Sequence, residues 1–370
     1  ATTYFDGKVP VSDKNIQFTG RWENNGKTAT AYYQSSLEFK FTGNFIKIDT
    51  SKPVIASVDG GPWKKVGAGL NTVASGLERG EHTLRVMSTP DNPNPVIKGF
   101  YIAPEQKTVK TTAKKKIMFI GDKGALCSKK FEESYMLGIS QKLDCSIAAT
   151  VSNVGAKELC TSYFKLDEAG TKSYTADTST DCIVLSLNTT GGKADYTQLV
   201  SVLRKNYPNS SIVCVAPASA KNASDIKSIV AGEQKDGDKK IFFVNADEWE
   251  VELSSDGVTP TADGAKTITS KLSSILKKIV GGNVVVNVTS KKPTTNTKDD
   301  KTSSVEQETT NDENEVVEEI VEEIVEEEVV QGNTVADYLW IIILVAVVVI
   351  LSLLVIIFWP NIKKLFAAKK

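Results

Sequence analysis

The sequence predicts an α/β protein in two folded parts: an N-terminal β-sandwich of jelly-roll type, then a domain with a parallel sheet flanked by helices. Three observations predict it. Short β-rich runs broken by Gly, Pro and Asn fill residues 1–105. Apolar strand-like runs alternate with helical stretches over residues 117–282. From residue 283 onward the composition no longer supplies a globular core. Regular short strands with turn signals indicate a sandwich, whereas strand–helix alternation indicates βαβ units.

In the first part the expected strands are Asn15–Trp22, Thr28–Phe41, Phe45–Asp49, Val54–Asp59, His82–Met87 and Val96–Ile102. Residues 106–116 are polar and lysine-rich and read as a linker. In the second part the strands are Ile117–Ile120, Ser146–Val151, Cys182–Leu187, Ser211–Val215 and Ile241–Val244. Helices are expected near residues 131–143, 193–206, 221–232 and 263–280. Ligand sites of such sheets lie beyond the carboxyl ends of the strands, which points to the segments after Ile120, Val151 and Leu187.

Residues 283–336 read as a stalk. Lys291–Asn314 is rich in Thr, Asp, Lys and Asn and is expected to be disordered. Glu315–Val330 repeats valine or isoleucine pairs with glutamate pairs at period four. It reads as a self-repelling acidic stalk or as a helix with an apolar stripe for a partner. Residues 337–360 read as a transmembrane helix, because Leu339–Trp359 is apolar and ~20 such residues cross a bilayer. Tyr338, Trp340, Phe358 and Trp359 mark its two edges, and Lys363, Lys364, Lys369 and Lys370 follow. Aromatic belts and a lysine flank of this kind orient residues 361–370 to the cytoplasm and the folded part outside the cell. Ala1 in place of an initiator Met fits a removed signal peptide.

The net charge of −1 excludes a nucleic-acid surface, which needs a clustered positive excess. Five cysteines (Cys127, Cys145, Cys160, Cys182, Cys214) lie without C-x-x-C spacing, so zinc is not expected, and one disulfide is compatible with an oxidising compartment. No cofactor is expected. Sequons at Asn188, Asn209, Asn222 and Asn287 are candidate glycosylation sites for an extracellular domain. Trp22, Tyr32, Tyr33 and Trp63 read as sandwich core or, alternatively, as a sugar-stacking platform.

Four segments carry a family resemblance. IMFIGDKGALCS at 117–128 resembles the first block of SGNH (GDSL) hydrolases, where a strand ends in Gly-Asp-Ser. VSNVGAKEL at 151–159, IVLSLNTTGG at 183–192 and DGVTPTADGAK at 256–266 resemble the second, third and last blocks. IQFTGRW at 16–22, LEFKFTGNFIKI at 37–48, VDGGPWKKV at 58–66, GEHTLRV at 80–86 and IKGFYI at 97–102 resemble the sandwich that precedes this domain in family-2 carbohydrate esterases. The resemblance implies a flavodoxin-like SGNH domain behind the sandwich.

It also implies a degenerate active site. The family's nucleophilic Ser corresponds to Lys123, the oxyanion-binding Gly and Asn to Asn188 and Thr190, and the general-base His to Thr259. Asp256, the orienting acid, and Gly155, whose N–H lies in the family's oxyanion hole, are retained. Acyl transfer through serine needs a base that takes and returns a proton, and His82, in the sandwich, is the one histidine of the chain. Lys123 is expected to pair with Asp122 or Asp256; a Ser152–Lys123 couple is the alternative that would keep catalysis.

The expectation is therefore a pseudo-esterase: a single-pass cell-surface membrane protein that binds a glycan or an extracellular protein. The alternatives are a membrane-tethered carbohydrate or acyl esterase of altered mechanism, and a structural surface-coat component.

Overall fold

Along Ala29–Thr42 every odd residue from Ala29 to Phe41 is buried, the period-two signature of a strand with one face in a core. In mid-strand the other face is buried too, at Gln34, Ser36 and Glu38. A second layer covers it. Ser36 Oγ donates to the Ile147 carbonyl at 2.5 Å, and Gln34 Oε1 accepts from the Val151 N–H at 2.9 Å. Ile147 and Val151 belong to the parallel sheet, so this one long strand joins both halves of the molecule.

The computed structural model describes residues 1–188 and 191–282, all within one compact unit. The expected stalk, transmembrane helix and cytoplasmic tail, together with Thr190 and Asn287, lie outside the described residues. Within them no helix is long and apolar enough to cross a membrane.

The N-terminal part is antiparallel. Its strands are β1 (Thr2–Tyr4), β2 (Lys8–Val9), β3 (Gln17–Asn24), β4 (Ala29–Thr42), β5 (Phe45–Thr50), β6 (Val54–Val58), β7 (Lys64–Val66), β8 (Gly69–Ser75), β9 (Glu81–Met87), β10 (Val96–Tyr101) and β11 (Gln106–Val109). They surround a core that includes Leu37, Phe39, Phe41, Ile48, Leu84 and Phe100. Phe39 and Phe100 meet edge to face at 4.9 Å. The stretch read as a linker contributes β11, which pairs with β1 and β4. Its sequence, QKTV, is polar because hydrogen bonding holds it: it lies between β1 and β4, and its buried Thr108 bonds to the Asn15 and Asp13 side chains.

The second part contains β12 (Lys116–Asp122), β13 (Ser146–Ser152), β14 (Cys182–Ser186), β15 (Ser211–Ala216) and β16 (Ile241–Asn245), all parallel, in the order β16-β15-β14-β12-β13. Counted within this part, the order is 2-1-3-4-5, the flavodoxin-like arrangement, with the chain reversing direction across the sheet at β12. The expected strands are present. The helices are α1 (Lys123–Leu126), α2 (Tyr135–Lys142), α3 (Ala156–Ser162), α4 (Lys193–Asn206), α5 (Ala223–Lys235) and α6 (Ala262–Val280). Leu159 from α3, Leu199 from α4 and Ile226 from α5 share one core with Leu185 and Cys214 of the sheet.

All five cysteines are free. A disulfide, compatible with the sequence but not assigned to any pair, does not form, and on the neighbouring strands β14 and β15 Cys182 stands opposite Ser211 and Cys214 opposite Leu185. A three-residue offset separates the thiols by roughly 10 Å, beyond disulfide reach.

The two parts are bolted together by Arg21, which is 1% exposed. Its guanidinium donates to the Lys165 and Tyr163 carbonyls and to Thr150 Oγ1, at 3.1, 2.6 and 2.8 Å. It also lies 4.4–4.6 Å from the ring centres of Tyr33, Tyr163 and Tyr174. The aromatic faces and carbonyls supply the negative potential that a buried cation requires.

Candidate functional site

The site forms where β12 hands over to α1. A Cβ at Gly121 would collide with the Ser186 carbonyl of β14, so only glycine allows the two strands to end this close together. Asp122 then caps α1: its Oδ1 accepts from the Ala125 N–H at 2.9 Å. The same carboxylate receives the Asn188 backbone N–H at 2.5 Å and Asn188 Nδ2 at 3.2 Å. Asn188 Oδ1 in turn accepts from Ser219 Oγ at 2.8 Å. One carboxylate and one amide thus tie together the loops after β12, β14 and β15.

Residues 256–260 close the site from above. A Cβ at Gly124 would overlap Val258 Cγ1 and would lie 3.4 Å from Asn188 Nδ2. Lys123, Asn188 and Thr259 are therefore brought to one edge of the sheet. Gly155 begins α3, three residues past Ser152, the register partner of Asp122, and so belongs to the same edge. Thr190 lies outside the described residues.

Lys123 does not pair with Asp122 or Asp256. Its ammonium lies 3.1 Å from Asp91, on the sandwich loop between β9 and β10, and both side chains are more than half exposed. The expected partners are engaged elsewhere. Asp122 is filled by the donors just described. Asp256 accepts from the Val258 and Thr259 N–H groups at 2.9 and 2.8 Å, closing its own turn. Those bonds, with one from the Thr259 side chain, hold its carboxyl down to about 2. Asp256 needs no cation, because two backbone N–H groups bond it and its side chain is exposed.

The Ser152–Lys123 couple finds no support in the contacts. Ser152 Oγ accepts from the Val154 N–H at 3.0 Å and lies 3.4 Å from the Val154 carbonyl, while the Lys123 ammonium faces Asp91. His82 sits in the sandwich with both ring nitrogens occupied, by Asp59 at 2.7 Å and the Glu78 carbonyl at 2.8 Å. Cys127, close behind α1, is buried, and burial pushes its thiol up to about 12, so it is not a thiolate nucleophile near neutral pH. Among the described residues no group of three His, Cys, Asp or Glu gathers to hold a metal.

A small pocket of about 10 Å3 adjoins the site, lined by Gly124, Tyr135, Ser186, Pro217, Val258 and Pro260 among others. Val154 and Val258 are exposed at 41% and 36%, and both follow elements that end at this edge of the sheet.

The aromatic platform does not form. Tyr33 and Trp63 are buried, and Trp22 turns its indole N–H inward to the Thr19 and Ser36 carbonyls. Of the sequons, Asn188 has its amide committed to Asp122 and Ser219, the amide atoms of Asn222 are buried, and Asn209 is exposed. Asp91 and Ser219 were missed in the sequence. Asp91 sits among three prolines of a sandwich loop and Ser219 follows β15; neither carries a motif.

No family model and no curated protein matches the sequence. Solved structures do match. A family two carbohydrate esterase from Clostridium thermocellum, in complex with cellohexaose, superposes with TM-score 0.58 at 20% identity, over 72% of this chain and 99% of its own. One from Cellvibrio japonicus gives 0.61 at 16%, over 76% and 98%. An acetyl xylan esterase from Butyrivibrio proteoclasticus gives 0.58 at 15%, over 76% and 99%. Both parts of the fold are covered in a single superposition. The chain therefore has the SGNH-hydrolase fold in its family-two carbohydrate-esterase form, sandwich and α/β domain together.

Proposed function

We propose that this protein is a non-catalytic member of that fold which binds a glycan at the carboxyl edge of its parallel sheet and presents the site from a membrane. One observation carries the reading: the position that would hold the nucleophile is Lys123, engaged with Asp91, while the chain's single histidine is engaged with Asp59 on the sandwich. Removing the Ser or His of such a triad costs ~10⁶ in kcat. Binding survives more easily than turnover, because it needs shape and hydrogen bonds rather than a base of matched pKa.

A glycan is favoured by the exposed rim at the site, where Lys123, Asp91, Val154 and Val258 offer charged and apolar contacts. The Clostridium thermocellum protein of the same fold binds cellohexaose. Residues 337–360 supply the anchor and residues 283–336 the spacer. In this reading Asn209 is the candidate N-glycan acceptor among the three described sequons. Binding is tested by saturation-transfer NMR with cello- and xylo-oligosaccharides. Signal transfer that weakens in Asp91→Ala supports the site, and none with any oligosaccharide refutes it. Display is tested by protease treatment of intact cells, which should release the folded part; protection would refute the orientation.

A further inference from the structure

Strands β2, β10, β5 and β8 pair side by side in the sandwich. One face of this sheet supplies Val9, Phe100, Ile46 and Ile48 to the core. Strand alternation therefore sends their neighbours Lys8, Tyr101 and Lys47 to the opposite face. That face meets solvent: Lys8, Lys98, Leu70 and Thr72 are exposed. The register sets its order. Tyr101 stands opposite Lys8 of β2 on one side and opposite Lys47 of β5 on the other, and Lys47 stands opposite Thr72 of β8. Directly opposed residues share a face, so a tyrosine lies between two lysines in one row across the strands.

The two lysines are not compensated. Among the described residues neither ammonium has a carboxylate partner. The Lys47 ammonium instead lies 5.6 Å from the centre of the Phe45 ring, two residues back on the same strand. Asp49, the carboxylate on this face of β5, is matched to Lys98 at 3.6 Å. Opposite Asp49 stands Leu70, 53% exposed. The face thus combines an aromatic ring, apolar surface and two cations in excess.

We propose that this face binds an acidic glycan, a chain containing uronic acids, laid across the strands with one sugar ring on Tyr101 and carboxylates at Lys8 and Lys47. Each part of the row has its counterpart. A tyrosine ring takes the C–H face of a sugar, and an ammonium takes a carboxylate. Lys8 and Lys47 are two interstrand steps apart, about 10 Å. That span is comparable to the disaccharide repeat of an extended chain. A neutral glycan would leave both ammonium groups unused, and a cationic ligand would be repelled. The surface lies on the sandwich, apart from the carboxyl edge of the parallel sheet, and does not rest on the function proposed for that edge.

The test is isothermal titration calorimetry of the full chain in detergent with tetragalacturonate, and with xylotetraose as the neutral comparison. Tetragalacturonate should bind, and xylotetraose should not displace it. Its affinity should fall as salt is raised. It should also fall about fivefold or more in each of Lys8→Ala, Lys47→Ala and Tyr101→Ala. Lys8 is exposed, so its replacement probes the row without disturbing the core. Lys205→Ala, which removes an exposed lysine of α4, should change nothing. Absence of tetragalacturonate binding overturns the proposal, as does binding that Lys8→Ala and Tyr101→Ala leave unchanged. Equal weakening in Lys205→Ala would mean general charge attraction and overturns it too. Displacement by xylotetraose overturns the acidic class, and a tetraglutamate peptide that binds as tightly overturns the choice of a glycan.

Discussion

Asn188 and Asp122 are joined by two hydrogen bonds, from the Asn188 backbone N–H at 2.5 Å and from its side-chain amide at 3.2 Å. The same carboxylate caps α1 through the Ala125 N–H. The Gly-Asp pair of this strand end therefore has a structural reason to exist apart from any chemistry: Gly121 permits the approach to β14 and Asp122 binds the loops that follow. Replacing Asp122 by Ala leaves these donors without their acceptor. The expected loss is about 1–3 kcal/mol, the cost of charged hydrogen bonds at a partly buried group. Urea unfolding of Asp122→Ala reads it; an unchanged midpoint would show that the carboxylate does not hold the edge together.

Lys123 and Asp91 join the sandwich to the site across solvent. Such exposed pairs contribute under ~1 kcal/mol and are screened by salt. Lys123→Ala should therefore leave the melting temperature nearly unchanged at physiological ionic strength. A fall corresponding to 2 kcal/mol or more would place the lysine in a buried role that the contacts do not give it.

Arg21 should be among the most sensitive positions in the chain. Truncation to Ala deletes three hydrogen bonds and contacts to three tyrosine rings, and opens a cavity in the seam. Losses of about 3–5 kcal/mol follow large-to-small changes at such sites. Arg21→Lys should recover only part, since an ammonium cannot reproduce the planar fork. Full recovery by Lys in thermal unfolding would contradict the cage.

His82 gives a pH dependence that a single resonance can follow, because it is the only histidine. Burial alone would lower its pKa, but the Asp59 and Glu78 hydrogen bonds and the Asp59 charge outweigh it and raise the net value. A folded pKa above the unfolded ~6.5 means that the protonated imidazole is favoured by folding. Its contribution to stability is full below ~6.5 and is lost as pH rises through the folded value. Titration by NMR should give a midpoint above ~6.5 that falls in Asp59→Asn. A native midpoint at or below that value would mean that the pair does not form.

Much of the fold was legible because β12 to β16 are apolar runs of strand length separated by amphipathic helices, and because the C-terminal half of β4 alternates apolar and polar residues. What escaped has a common cause. β11 is polar and gains its structure only by pairing with β1 and β4. Arg21, a charged residue in a strand, reads as solvent-facing until Tyr163 and Lys165, more than 140 positions away, close over it. The site positions Lys123, Asn188 and Thr259 were legible from motif order. The partner of Lys123 was not, since Asp91 reaches it from the other half of the molecule. For Asp256 the sequence left a pairing cation or access to solvent open; it is exposed, and the two backbone N–H groups that bond it become visible only once the turn is folded.

The central claim is that this fold is retained here without its hydrolytic chemistry. The most direct measurement is release of acetate from an acetylated xylo- or cello-oligosaccharide by the purified full chain, followed by proton NMR through the methyl resonance. The account predicts acetate at the buffer rate, identical for the native chain and for Lys123→Ala. Acetate released faster than buffer by the native chain, and no faster than buffer by Lys123→Ala, would contradict it.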